Sequence, residues 1–467
     1  MHLPIRSPLL DADPLCRIGV AELTALYHSG EVSPVEVARA SLARAEAINK
    51  PLNAFTYIDH DGAMEQARAS EQRWRTGTPL SPIDGVPATI KDIVWVKGWV
   101  VRFGSLTTQL QPQREDAPAV GRLRCAGAVL LGLTTTPEFG WKAVTDSPAS
   151  GITRNPWMPS VTAGGSSGGA AVAAATGAGV LHLATDGGGS ARVPASFTAT
   201  VGFKPTYARV PTFPVSAFGT LSHIGSIARS VADAAAMFRV MAGRDMRDWT
   251  QCAHAPTSSD WGHTALAGTR VGYWSQPATG KVEPEVVQIV ERAVRKIERA
   301  GACVEPMQLP RNDVLDIFKH HWLCGAAARI NSIPEQDRSR IDPGLLEAAR
   351  DGGTMTAGLV SAQMRRVEFG SAMDRVLQEY DVLVSPATAV APFEAGHEVP
   401  PGSGMTRWTD WAGFSFPMNL SQQPAIVIPC GLTADGRPVG IQLVGARGED
   451  SRLLSIADAL AQLLNSP

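Results

Sequence analysis

Hydrophobic and polar positions along the chain predict helices that alternate with short buried strands. Residues 33–36, Ser-Pro-Val-Glu, form a capping box with Pro at the first helical position. Apolar residues then recur at helical spacing, which predicts an amphipathic helix over 34–49 that Pro51 ends. After Gly85, an apolar run predicts a buried strand with Lys91 and Asp92 at its exit. This order favours an α/β architecture with a substantial buried sheet.

The segment 164–190 differs from the rest of the chain because it consists mostly of glycine, alanine and serine. Its middle predicts a helix over 168–176 that has almost no bulky side chain and must therefore pack close to its neighbours. A short strand over 180–185 follows, and it opens into three glycines before Ser190. The segment thus brings a serine to the end of a buried strand.

The same alternation continues to the C-terminus. Residues 312–380 are predicted to be mostly helical, with Arg365 and Arg366 exposed. The other predicted elements are a helix and a strand over 116–127 and 128–133, strands over 269–274, 303–307, 381–384, 425–429 and 439–444, and helices over 286–300 and 450–464. The loops near 253–267 and 386–410 are too short to separate two domains, so we expect a single domain over 1–467.

Composition excludes several classes of protein. The chain has 467 residues, 44% of them hydrophobic, and a formal net charge of −2, which argues against a disordered chain and against a nucleic-acid partner. No apolar run approaches the roughly 18 residues of a membrane span. We expect a cytoplasmic protein, because the N-terminus shows no targeting pattern. The six scattered cysteines suit reduced, buried thiols, and no motif predicts a metal or another cofactor.

Two serines are candidate nucleophiles. Ser166 lies in a G-x-S-x-G match, but the approach over 155–159 contains two prolines and cannot be the interior strand that a nucleophile elbow needs. Ser190 follows a strand and three glycines, whose N–H groups can converge on an oxyanion. A plain tight turn remains the alternative for Ser190.

The candidate base is a lysine rather than a histidine. His182 lies inside an apolar strand and is typical of a core histidine, while His320 and His321 are adjacent on a helix and point in different directions. Only 8 of the 42 basic residues are Lys, and Lys91 ends a buried strand. Burial lowers the pKa of an ammonium group, so a neutral Lys91 could accept a proton. A salt bridge between Lys91 and Asp92 is the structural alternative.

Together these motifs resemble the amidase signature family of serine hydrolases. The resemblance covers nearly the whole chain and is weakest over 245–410. Its segments are the helix after Ser33, then 87–92, 136–140, 154–157, 164–171, 186–194, 202–207, Asn419, 423–425 and 440–445. It implies a single-domain α/β fold with a central mixed, twisted sheet covered by helices on both faces.

The resemblance also implies a Ser–cis-Ser–Lys triad. Lys91 corresponds to the base, Ser166 to the bridging serine on a cis peptide, and Ser190 to the nucleophile that forms an acyl-enzyme. The backbone N–H groups of Gly187, Gly188, Gly189 and Ser190 correspond to the oxyanion hole. Ser167, Thr185, Asp186 and Arg192 correspond to residues that support these loops.

Departures from the family pattern concern substrate fit rather than the triad. Gly187 stands where Thr or Ile is usual, and Ala163, Gln422 and Ser226 also depart from the common residues. The region 310–415 is variable in the family, is expected to be helical, and contributes pocket walls. The predicted pocket residues are Trp141, Trp157, Trp322, Trp408 and Trp411.

These aromatic side chains favour a small, apolar or aryl amide or carbamate (urethane) as the substrate. Aryl acylamidases and urethane-cleaving enzymes are the family members with such pockets. Three alternatives stay open: the A-type component of a glutamine amidotransferase, which would need partner proteins; a Ser–His–Asp esterase; and a catalytically inactive binding protein. No cofactor is expected, and a homodimer is an optional assembly.

Overall fold

The computed structural model describes residues 7–251 and 265–465. Most of the loop predicted over 253–267, Cys252 and the first six residues of the N-terminal pattern lie outside the described residues. The strands are β1 (Phe55–Ile58), β2 (Pro87–Lys91), β3 (Val129–Thr134), β4 (Asp146–Ser147), β5 (Gly151–Ile152), β6 (Leu181–Asp186), β7 (Val201–Lys204), β8 (His223–Ala228), β9 (Arg270–Trp274), β10 (Cys303–Met307), β11 (Val382–Pro386), β12 (Ala425–Leu432) and β13 (Pro438–Val444).

Helices connect most of these strands. They are α1 (Val20–Ser29), α2 (Pro34–Leu52), α3 (His60–Arg75), α4 (Pro118–Cys125), α5 (Gly168–Thr176), α6 (Arg192–Thr198), α7 (Val231–Met241), α8 (Pro284–Arg299), α9 (Val314–Asn331), α10 (Pro343–Met355), α11 (Leu359–Glu379), α12 (Pro417–Leu420) and α13 (Asp450–Asn465). Short 3-10 turns cover Pro14–Arg17, Glu138–Gly140, Gly219–Leu221, Glu335–Arg340, Thr356–Gly358 and Trp408–Asp410.

Eleven strands form one mixed sheet, in the order β1-β3-β2-β6-β8-β7-β12-β13-β11-β9-β10. The pairs β2/β3, β2/β6, β9/β10 and β9/β11 are parallel, and the remaining neighbours are antiparallel. The short strands β4 and β5 pair separately. The strand that carries Lys91 therefore lies between two parallel neighbours in the interior of the sheet.

Helices cover both faces of this sheet, as strand β12 shows. Ile426 and Ile428 pack into the apolar cluster that contains residues of α8 and α13. Between them, Val427 packs against Ala195 of α6. Because successive side chains of a strand point to opposite faces, the two groups of helices lie on opposite sides. The predicted mixed sheet with helices on both faces is confirmed.

Helix α2 begins as predicted and ends later. Ser33 Oγ accepts from the Glu36 N–H at 3.2 Å, and Glu36 Oε2 accepts from the Ser33 N–H at 2.8 Å, so the capping box is confirmed. The predicted end at Pro51 is wrong, because the helix continues to Leu52 and ends at Asn53 with φ 52°. A proline in the last turn removes only one helical hydrogen bond, so the helix passes through it.

The Ala-rich helix α5 is completely buried. A Cβ atom added at Gly169 would lie 2.4 Å from the carbonyl oxygen of Ala54 and from the backbone nitrogen of Thr135. Only small side chains permit such close packing. As a result, the chain just before α5, which carries Ser166 and Ser167, is held against the interior of the sheet.

The region 312–380 is mostly helical, as predicted, but the expected exposure of Arg366 is wrong. Arg366 is buried, since its guanidinium donates to the carbonyl oxygen of Leu420 and to Thr220. The five cysteines among the described residues have free thiols, but Cys125 and Cys303 are exposed, so the expectation of buried thiols is wrong for these two. Cys125 is the last residue of α4 and Cys303 is the first residue of β10.

Candidate active site

Lys91 is fully buried at the end of β2 and donates only to hydroxyl groups. Its Nζ lies 2.7 Å from Ser166 Oγ, 2.9 Å from Ser167 Oγ and 2.9 Å from Thr185 Oγ1. The alternative salt bridge to Asp92 is absent among the described residues. Asp92 instead accepts a hydrogen bond from the backbone N–H of Arg102 at 2.8 Å.

This environment favours the neutral amine of Lys91. Burial lowers the pKa of Lys91 well below its ordinary value, and the negative charge of Asp186 opposes that shift only in part. Burial also raises the pKa of the neighbouring Asp92 carboxyl group to about 7. A neutral amine that is hydrogen-bonded to a serine hydroxyl can accept the proton of that hydroxyl.

The two serines before α5 lie in a tightly packed loop. The peptide bond between Gly165 and Ser166 is cis, as the family resemblance implies. A Cβ atom at Gly165 would lie 2.5 Å from the carbonyl carbon of Val144, so only glycine fits there. The Ser167 N–H donates to the carbonyl oxygen of Ser190 at 3.1 Å. This bond joins the Ser166 loop to the loop that carries the predicted nucleophile.

The glycine loop after β6 is organised by Asp186. The carboxylate of Asp186 accepts from the backbone N–H of Gly189 at 2.9 Å and of Ala191 at 3.2 Å. The Gly189 N–H is therefore already bonded within the loop, which corrects its predicted place in the oxyanion hole. The backbone N–H groups of Gly187, Gly188 and Ser190 have no acceptor in the part of the chain that the structure describes.

Arg192 holds Asp186 in place through a buried, two-point ion pair. Its Nε and Nη2 lie 2.9 and 2.8 Å from the two carboxylate oxygens, and both side chains are fully buried. The Arg192 guanidinium holds the pKa of Asp186 well below its usual range. Arg192 also donates to Asn419 Oδ1 and Gln442 Oε1, two motif residues to which sequence reasoning gave no role. The ion pair thus anchors the loop to the C-terminal strands.

No described histidine serves as a base for these serines. His182 is fully buried and shares a 2.8 Å hydrogen bond with Thr89 Oγ1, and burial lowers its pKa to about 3. Nδ1 of His223 contacts the backbone carbonyl oxygens of Leu221 and Asp186. The prediction of a core histidine at position 182 is confirmed, and the described residues offer no Ser–His pair.

A cavity of about 410 Å³ opens beside the lysine site, and Thr185 is part of its wall. Its other walls are mainly apolar and aromatic and come from loops and short turns: Ile93, Trp95, Phe103, Phe139, Phe213 and Phe218. We call it the first cavity. Sequence reasoning did not find these residues, because irregular segments carry no periodic pattern that would mark them.

Three of the predicted tryptophans line a second cavity of about 510 Å³: Trp141, Trp322 and Trp408. Trp322 stacks on Phe218 of the first cavity, with ring centroids 3.7 Å apart. A Cβ atom at Gly187 would lie 3.0 Å from the Trp322 ring, and one at Gly188 would lie 2.7 Å from the Trp408 ring. The two indole rings therefore pack against the glycine loop and occupy the space beside Gly187, where the family usually has a larger residue.

The remaining two tryptophans do not line either cavity, which corrects their predicted role. Trp411 is fully buried, stacks on Phe197 and donates its indole N–H to the Glu398 carbonyl oxygen. Trp157 donates its indole N–H to the carbonyl oxygen of Thr198 at 2.8 Å. Both side chains brace the protein around α6 instead of contacting the cavities.

The described residues contain no group of three or more His, Cys, Asp or Glu side chains that could hold a metal ion. In the same ranges, no helix is both long and apolar enough to span a bilayer.

Comparison with known proteins identifies the class of this protein. A family model described as "Amidase" matches residues 36–454, which is most of the chain. The chain belongs to the amidase signature family, whose enzymes act on amide C–N bonds.

Among similar proteins, an acylamidase of Rhodococcus erythropolis is 34% identical and the match covers 94% of each chain. The A-type component of the glutamyl-tRNA(Gln) amidotransferase of Symbiobacterium thermophilum is 32% identical, with 94% of this chain and 95% of that protein covered. The crystal structure of a bacterial aryl acylamidase of the amidase signature family superposes with a TM-score of 0.88 at 27% identity, with 97% of each chain covered.

Proposed function

We propose that this protein hydrolyses the C–N bond of small apolar or aryl amides through a Ser190–Ser166–Lys91 relay. The observation that carries the proposal is the 2.7 Å hydrogen bond between the Lys91 Nζ and Ser166 Oγ. Lys91 is fully buried and has no carboxylate within salt-bridge distance among the described residues. A buried amine whose partners are hydroxyls is suited to general-base catalysis.

In the proposed first step, neutral Lys91 accepts the Ser166 proton while Ser166 accepts the proton of Ser190. Ser190 Oγ forms a bond to the substrate carbonyl carbon, and the π electrons of the carbonyl move to its oxygen. We assign stabilisation of this oxyanion to the N–H groups of Gly187, Gly188 and Ser190, which have no acceptor among the described residues.

In the second step the tetrahedral intermediate collapses and the C–N bond breaks. The amine leaves with the proton that the relay returns, and an ester of Ser190 remains. Water then attacks this acyl-enzyme after giving a proton to the same relay, and the carboxylic acid product leaves as Ser190 regains its proton.

The first cavity supports the proposed substrate class. Its volume of about 410 Å³ suits a small organic molecule, and its aromatic walls favour an apolar or aryl group. Similarity to an acylamidase and to an aryl acylamidase supports the same class. A carbamate presents the same carbonyl carbon to Ser190, so we include carbamates among the proposed substrates.

A second candidate function is that of the A-type component of an amidotransferase, which the 32% identity to such a protein favours. An enzyme of that kind would need partner proteins and a route for ammonia. Hydrolysis of simple anilides by the isolated chain would argue against this candidate.

The deciding experiment is a substrate panel with the purified chain. We expect release of p-nitroaniline from p-nitroanilides, with aryl carbamates and p-nitrophenyl esters tested in parallel. If the chain cleaves none of the amides and carbamates of the panel, the proposal is refuted.

Labelling with a fluorophosphonate separates the nucleophile from the bridging serine. Mass spectrometry should place the adduct on Ser190, and S190A should remain unlabelled. An adduct on Ser166 would show that the nucleophile is assigned wrongly, and a chain that takes no label would support the inactive binding protein.

A further inference from the structure

Arg329 is the only charged side chain among the described residues that line the first cavity. It lies on α9, and its guanidinium carbon lies 5.0 Å from the centre of the Phe139 ring. Within the described ranges, this guanidinium has no carboxylate partner and donates no hydrogen bond to any acceptor. Two other arginines of the region 310–415 are paired: Arg365 with Asp313 and Asp316, and Arg407 with Glu347.

Arg329 borders the same space as Thr185, a hydrogen-bond partner of Lys91. Thr185, which accepts a hydrogen bond from Lys91, lines the first cavity together with Arg329. Phe139, below the guanidinium, precedes Gly140, and a Cβ atom at Gly140 would lie 3.3 Å from Ser166 Oγ. A molecule that fills the cavity can therefore contact Thr185, next to Lys91, with one end and the guanidinium with the other.

A half-buried guanidinium without a hydrogen-bond acceptor among the described residues is energetically costly unless a ligand accepts its hydrogen bonds. Arginine keeps its charge at all ordinary pH values, and its five N–H donors fit a carboxylate in a two-point arrangement. Burial lowers the pKa of Arg329, which reflects the lost hydration of its charge. The ring of Phe139 supplies a cation–π contact but accepts no conventional hydrogen bond.

We propose that Arg329 binds a carboxylate of the substrate, so that the enzyme selects amides or carbamates bearing a carboxylate remote from the scissile bond. This inference rests on the proposed function and adds a specificity determinant to it. The apolar walls would hold the alkyl or aryl spacer between the carbonyl group and the carboxylate.

The test uses two pairs of substrates that are matched except for charge. Glutaric acid mono-p-nitroanilide, which carries its carboxylate on the acyl side, is compared with the uncharged valeric acid p-nitroanilide. 4-Acetamidobenzoate, which carries its carboxylate on the amine side, is compared with the uncharged 4-methylacetanilide. For each pair, the ratio of kcat/KM values is measured in the unmodified enzyme, R329Q, R329K and R350Q.

We expect the charged substrate of one pair to be preferred, and R329Q to lower that preference about 10- to 100-fold, mainly through KM, since a charge-assisted hydrogen bond is lost. R329K should retain part of the preference. R350Q removes an exposed arginine of α10 and should leave the ratio unchanged. The pair that responds identifies the side on which the carboxylate binds.

Two outcomes would overturn the inference: no preference for the charged member of either pair, or an equal loss on both members in R329Q. A binding measurement separates this result from a failure of the proposed function. Calorimetry is done with glutaric acid mono-p-nitroanilide and with 4-acetamidobenzoate. S190A should bind at least one of them about tenfold more tightly, or better, than S190A/R329Q does. Equal affinities of the two variants for both charged ligands would refute the carboxylate site, whereas tight, Arg329-dependent binding without turnover in the unmodified enzyme would refute only the hydrolase.

Discussion

Lys91 and Lys204 are two fully buried lysines in different parts of the sheet, and burial lowers the pKa of both. Their hydrogen-bond partners differ. The Lys91 Nζ forms hydrogen bonds with three hydroxyl groups, whereas Lys204 donates to the backbone carbonyl oxygens of Gln423 and Pro205. A hydroxyl group can give its proton to an amine, and a carbonyl group has none to give.

The comparison teaches that a lowered pKa alone does not identify a catalytic base. Lys204 joins the end of β7 to the turn before β12, which is a structural task. Lys91 lies beside a cavity that reaches solvent and beside the loop that carries Ser190. Chemistry depends on what the amine contacts and on whether a substrate can reach those contacts.

The largest expected contrast is between K91M and K204M. Without the proton acceptor, K91M should lose about 10³-fold or more in the kcat of anilide hydrolysis. K204M should keep activity within about tenfold and lower the free energy of unfolding by about 1–3 kcal/mol, because two carbonyl groups lose their donor. Anilide kinetics and urea unfolding of both variants measure this contrast. Loss of all activity in a fully stable K204M would contradict the structural role of Lys204.

The buried ion pair of Asp186 and Arg192 supplies the next prediction. R192M leaves the Asp186 carboxylate buried without its partner and should lower the free energy of unfolding by about 3–5 kcal/mol. R437M, which breaks the ion pair with the exposed Asp435, is the matched control and should cost less than about 1 kcal/mol. Urea denaturation compares the two, and equal losses would contradict the anchoring role of Arg192.

The pH dependence of kcat/KM tests the Lys91 assignment directly. The base works as the neutral amine, and protonation below its pKa removes it. Activity should therefore fall about tenfold per pH unit on the acid side and reach a plateau at higher pH, starting well below the ordinary lysine pKa. Asp92, with a pKa of about 7, is the competing titrating group. The acid limb should persist in D92N, and its disappearance there would assign it to Asp92.

The smallest expected effect comes from T185V. Thr185 Oγ1 accepts from the Lys91 Nζ, and this hydrogen bond favours the charged ammonium form. Its loss should lower the pKa of Lys91 further and move the acid limb to lower pH by about half a unit to one unit. T185S keeps the hydroxyl group and should retain the original profile. A shift of the limb to higher pH would contradict the proposed hydrogen-bond effect.

Much of the fold could be predicted from local patterns. Strand β2 with Lys91 at its end, the Ala-rich helix α5 and the glycine loop after β6 each follow from a short stretch of sequence. The end of α2 was predicted wrongly, because the structure tolerates Pro51 in the last turn. The oxyanion-hole prediction included one amide too many, because the Asp186 carboxylate accepts from Gly189.

The substrate site was predicted less well. Three tryptophans line a cavity and two brace the protein around α6, although all five residues are equally aromatic in the sequence. Phe139, Phe213 and Phe218, which line the cavity beside the lysine, lie in loops without periodicity. Arg329 lies on a predicted helix, but only its position after folding separates it from the many other arginines.

By itself, the sequence determined the order of helices and strands, the family resemblance and the residue types available for a hydroxyl–amine relay, since these depend on neighbours along the chain. Only the tertiary structure decided that Lys91 meets Thr185, 94 positions away, rather than its neighbour Asp92. It also decided which aromatic rings border the site, and that Arg329 lines the first cavity with no carboxylate partner among the described residues. These outcomes depend on how distant segments pack, and packing is a property of the whole chain rather than of any local pattern.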